Sequence, residues 1–120
     1  MPTILNLNPR SIYNKAEKLK QFVKERDIDI VCISESWARA EEPLEDLLQM
    51  ENYDVISNAH ARKGVGGKPA IMVNNKLFRV ENPNQVSITI PWGVECVWAI
   101  LTPRELTNSS VVKKIVVASF

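Results

Sequence analysis

Ile30, Val31, Cys32 and Ile33 stand in succession, and a carboxylate, Glu35, follows just after them. An unbroken apolar run of this kind is the pattern of a strand covered on both faces, because a half-exposed strand would alternate. The strand reads from Ile28 to Ser34. Upstream, Thr3 to Leu7 reads as a first strand and ends in the turn-like Asn8-Pro9-Arg10-Ser11. Between the two, Ile12, Ala16, Leu19 and Val23 fall at helical spacing, and Phe22 widens the stripe. Lysines and glutamates fill the opposite face, which predicts an amphipathic helix from Tyr13 to Arg26. Strand, helix, strand over roughly thirty residues is the start of an α/β fold.

The remainder is richer in strands. "EEPLEDLLQM" reads as a short helix, about Leu44 to Met50, with Pro43 in its first turn. "YDVIS", "AIMVN", "FRVEN", "QVSITI", "VECVWAIL" and "KKIVVASF" read as strands, and "NAHARKGVGGK" as a polar, glycine-bearing loop. With 45% hydrophobic and 24% charged residues, the 120-residue chain is globular in composition. A net charge of +1 does not by itself point to nucleic acid, although a local basic patch can act independently of the total. Cys32 and Cys96 sit in apolar runs, where a reduced thiol packs as a small hydrophobe. With one histidine, they cannot complete a four-ligand structural zinc site. No basic-then-apolar leader opens the sequence, and no apolar run approaches the roughly 20 residues needed to span a bilayer. The expectation is an intracellular protein, nuclear or cytoplasmic, without a membrane partner.

Asn8 and Glu35 each follow an apolar strand, and one helix joins those strands. If the strands are parallel, both residues emerge at the same carboxyl edge, where open α/β sheets place ligands. An amide beside a carboxylate there can hold a hydrated divalent cation and a phosphate oxygen. The plainer alternative is that Asn8 makes a turn before Pro9 and that Glu35 caps a helix or pairs with Arg39 at i+4.

The stretch from Asn8 through Ser11, Ile12, Asn14 and Lys15 to the run Asp29–Trp37 resembles the endonuclease/exonuclease/phosphatase family. The resemblance is to the apurinic-type endonuclease domain of non-LTR (LINE-like) retrotransposons. It implies a DNase I-like, four-layer α/β/β/α sandwich. These 120 residues would be its N-terminal half, a mixed β-sheet with helices on one face. By the same resemblance Glu35 is a ligand for Mg²⁺ (or Mn²⁺), and Asn8 is a catalytic-site residue orienting the scissile phosphate. Arg10, Arg62 and Lys63 would contact a nucleic-acid backbone. Lys68 and Pro69 depart from the family's glycine loop, and His60 does not match its catalytic histidine.

The family's base and remaining acids come from an Asp-x-Asn motif and an Asp-His pair, and neither occurs in this sequence. The implied parent is a metal-dependent endonuclease that nicks DNA for retrotransposition, with this chain itself inactive. A phosphatase or phosphodiesterase branch, or a binding-only fragment, is the alternative. "IVVASF" is a core-type strand at the end of the chain, so the expectation is a truncated domain. The far face of its sheet would then await a sheet from the other half, leaving an apolar surface prone to self-association.

Overall fold

A computed structural model describes residues 3–34, 44–57, 69–81, 97–104 and 115–119. Its elements run β1 (Ile4–Leu7), α1 (Ala16–Arg26), β2 (Ile30–Ile33), α2 (Leu44–Leu47), β3 (Tyr53–Ser57), β4 (Ala70–Asn74), β5 (Phe78–Glu81), β6 (Val97–Pro103) and β7 (Ile115–Ser119). They form two sheets, one of order β1-β2-β4-β3 and one of order β5-β6-β7. In the first, β1 and β2 are parallel with Leu7 opposite Ile33, while β4 is antiparallel to both β2 and β3. The second sheet is antiparallel throughout.

Strand β2 shows why its sequence is apolar at every position. Val31 and Ile33 pack with Ile12, Ala16, Leu19 and Val23 on the helical side. Ile30 and Cys32 pack with Val97, Ala99, Leu101 and Val117 from the second sheet. Strand β4 divides the same way, with Ala70 and Met72 toward the helix and Ile71 and Val73 toward the second sheet. The layers are therefore helix, sheet, sheet. This corrects one expectation in part: β5–β7 of the same chain cover the far face of the first sheet at β2 and β4, while Ile4 on the same face of β1 remains 56% exposed. The exposed large apolar residues lie on different elements: Ile4 on β1, Phe22 on α1, Leu77 in a turn and Val116 on β7. Cys32 is a free, buried thiol whose pKa burial pushes up, so it serves as packing.

Helix α1 ends where the sequence reading put it and begins three residues later. Its last turn closes on Asp27, which takes a left-handed conformation at φ 50°. The Ile28 N–H reaches the Val23 carbonyl at 3.1 Å and the Asp27 N–H reaches Lys24 at 3.4 Å, the paired bonds of a Schellman cap. Ile28 and Val23 are both buried in the helical-side core, which adds the apolar contact that accompanies such caps. Phe22 does not join the stripe. It is 42% exposed, and the Arg26 guanidinium lies over its ring at 5.4 Å.

Asn75, Lys76 and Leu77 carry the chain from one sheet to the other. Asn74 Oδ1 accepts the Lys76 N–H at 3.0 Å, and the Leu77 carbonyl accepts the Arg104 N–H at 2.9 Å. At this end of the first sheet Tyr53 donates its hydroxyl to the Ile28 carbonyl. Burial, then the charges of Asp29 and Asp27, raise its phenol pKa. The fold thus favours the neutral phenol. The stability this contributes is complete below the ordinary value of about 10 and is lost as pH rises through the raised one. Urea unfolding on either side of that value should show an alkaline loss that Tyr53→Phe reduces; an equal loss in both proteins would assign it to other groups. Among the described residues no helix is long and apolar enough to cross a membrane.

Candidate active-site edge

The parallel pairing of β1 and β2 brings their carboxyl ends level. Asn8 follows Leu7, Ser34 follows Ile33, and the Ser34 N–H donates to the Leu7 carbonyl at 3.0 Å. The Ser34 hydroxyl also approaches that carbonyl, at a long 3.5 Å. Two further strands reach the same edge. Ala70 lies opposite both Ile33 and Ser57, so β3 ends and β4 begins here. The segment 58–68 therefore leaves the sheet at Ser57 and returns at Pro69, both at the edge that carries Asn8 and Ser34. Adjacent strands lie about 4.8 Å apart, so β1 and β3 are separated by roughly 14 Å along it.

The Asn8 turn is tightly specified. Asn8 Oδ1 accepts the Arg10 N–H at 3.3 Å, an Asx turn in which the side chain mimics the backbone. Arg10 takes a positive φ of 56°. For a residue with a Cβ the left-handed region costs roughly 1–2 kcal/mol. Pro9 is buried between the exposed Asn8 and Arg10, and its carbonyl accepts a hydrogen bond from Lys15 Nζ. Asn8 thus does make the turn that the plainer reading foresaw. That bond uses the amide oxygen, and among the described residues the Nδ2 donors make no hydrogen bond.

Of the sequence-predicted site residues, Asn8 and Arg10 lie together in this turn. Glu35, the residue after Ser34, falls outside the described residues, as do Arg62 and Lys63. Among the described residues no three of His, Cys, Asp and Glu cluster closely enough to hold a metal ion. The edge shows oxygen atoms from Asn8 and Ser34 and no described carboxylate, so it does not by itself make a divalent-cation site. Sequence reasoning gave no role to Ser34 or Lys15. Lys15 stood in the quoted Asn-Lys pair, and nothing in that pair indicated its carbonyl partner.

Two solved structures are similar to this chain in fold. The endonuclease domain of TRAS1, a telomere-specific non-LTR retrotransposon, superposes over 100% of this chain and 46% of its own, with a TM-score of 0.58 and 17% identity. An AP endonuclease from Archaeoglobus fulgidus superposes over 68% of this chain and 30% of its own, with a TM-score of 0.52 and 25% identity. The chain has a DNase I-like endonuclease fold. It spans less than half the length of either endonuclease. No protein-family profile matches the sequence, and no curated protein matches it significantly.

Proposed function

We propose that this endonuclease-like chain forms the phosphate-orienting side of a metal-dependent phosphodiesterase site whose parent nicks DNA, in the manner of a retrotransposon endonuclease. The observation that carries this reading is the level, parallel ending of β1 and β2. It sets Asn8 at an edge one residue from where the chain continues into Glu35. In this reading the Asn8 Nδ2 donors bind a phosphate oxygen, and Arg10 adds a positive charge from the same turn. Glu35 provides a ligand for Mg²⁺ or Mn²⁺, which when bound neutralises charge on the phosphate. Arg62 and Lys63 belong to the segment that starts and returns at the same edge, and they track the nucleic-acid backbone.

The chain alone binds and does not cleave. It contains neither an Asp-x-Asn nor an Asp-His sequence, and its single histidine, His60, has no partner motif. Hydrolysis needs an activated water as well as an oriented phosphate. Supercoiled DNA incubated with the chain and Mg²⁺ should therefore show no nicking above a Glu35→Ala control. Nicking that the control lacks would mean that a residue present here supplies the base.

Self-association, in the same reading, uses what remains open of the sheet face first expected to be bare, where Ile4 on β1 is 56% exposed. On the outward side of the second sheet Val116 is 58% exposed, but Ile100, paired with it, and Trp98 are buried. A strictly monomeric chain in sedimentation equilibrium would remove that part of the proposal.

A further inference from the structure

Lys15 occupies the N-cap position of α1 and makes no side-chain capping bond. A lysine has no acceptor to offer the free N–H groups of a first turn, and Ser, Thr, Asp or Asn would serve better there. Its side chain is used elsewhere, donating to the Pro9 carbonyl across the loop. The lysine is also fixed at its backbone, since its N–H donates to Ile12 and its carbonyl accepts from Leu19, each at 2.9 Å. Arg10, next to Pro9, is held in a conformation that a residue with a Cβ avoids. The Asx bond stabilises this turn from within. The Lys15 bond is a side-chain contact that ties it to the start of the helix.

We propose that Lys15 is a positioning residue: through the Pro9 carbonyl it locks the Asn8–Arg10 turn so that both side chains are presented at the β1–β2 edge. The inference rests on the phosphate-binding reading of that edge. It differs from the expectation for a basic residue near DNA, because Lys15 acts without touching the phosphate. Each lysine or arginine that neutralises a phosphate steepens the salt dependence of binding by about 0.9 in log–log slope. A residue that only sets geometry leaves that slope alone.

The test uses the full 120-residue chain, wild type, Lys15→Met and Lys15→Arg, with a short fluorescent DNA duplex over a range of NaCl concentrations. Lys15→Met should bind at least about threefold more weakly with an unchanged salt slope, and Lys15→Arg, which keeps a donor, should recover most of the affinity. In ¹⁵N spectra without DNA, Lys15→Met should shift the Asn8 side-chain amide and the Arg10 backbone signals. A slope lowered by about one would make Lys15 a direct phosphate contact and overturn the proposal. Wild-type affinity in Lys15→Met, or unchanged Asn8 and Arg10 signals, would overturn it as well. A wild-type chain that binds no DNA, while those signals still shift, would instead sink the phosphate-binding reading and leave Lys15 only the turn. Melting curves of the three proteins separate either result from loss of fold.

Discussion

An aspartate in place of Ile71 is expected to abolish the cooperative fold, whereas an aspartate in place of Val116 is expected to be tolerated. Ile71 is fully buried between the two sheets, opposite Cys32 on one side and Ile56 on the other. Its neighbours on that face are apolar. A carboxylate there has no described cation to pair with, and the cost of desolvating it exceeds what a small domain can lose from a margin of about 5–15 kcal/mol. Val116 belongs to the second sheet as well, but its side chain points outward and is mostly in solvent. The contrast follows from the face assignment alone. Circular dichroism and urea titration of both variants would check it, and Ile71→Asp with an intact unfolding transition would mean the sheets do not pack as described. Sedimentation of Val116→Asp would show, in addition, whether that outward residue promotes self-association.

Leu101→Ala is expected to cost about 2–5 kcal/mol of unfolding free energy, the range for deleting a large buried aliphatic side chain. Leu101 is fully buried in β6, the central strand of the second sheet, and it packs toward Ile30, Ile71 and Val73. Paired strands flank it on both sides, at Val80 and Ile115. Such a site collapses poorly around a cavity, which puts the expected loss in the upper part of the range. Chemical denaturation measures the effect directly. A loss below about 1 kcal/mol would indicate that the second sheet is not a fixed cover for the first.

Much of this fold could be read from local pattern. Strands β3 and β4 occupy Tyr53–Ser57 and Ala70–Asn74, the segments expected from their apolar, β-branched content. The end of α1 at Arg26 follows from the change in periodicity there. Its start was harder to place. The residues from Tyr13 to Lys15 continue the helical spacing but form a turn, because Lys15 sits at φ −125° and its side chain is committed to Pro9. Phe22 fitted the stripe by spacing and still lies mostly outside, held by Arg26.

Which sheet each strand joins was not legible at all. Strands β4 and β5 are separated by three residues, a spacing that looks like a hairpin, yet they belong to different sheets. Pairings such as Cys32 with Ile71 depend on residues distant in sequence, and nothing local announces them. The candidate site shows the same division. Strand, helix, strand sufficed to place Asn8 at a carboxyl edge, while the Lys15–Pro9 bond depends on loop conformation that residue types alone do not determine.

A titration of the ¹⁵N-labelled chain with Mn²⁺ tests most directly whether Asn8 and Glu35 share a cation- and phosphate-binding edge. The paramagnetic ion broadens signals of nearby nuclei and needs no catalytic activity. Broadening is expected to centre on Asn8, Ser34 and Glu35 and to disappear in Glu35→Gln. The described acids Asp27, Asp29 and Asp54 lie toward the opposite end of the sheet, so they give the experiment an internal alternative. Broadening centred on those residues, or unchanged at Asn8 and Ser34 in Glu35→Gln, would contradict the shared edge.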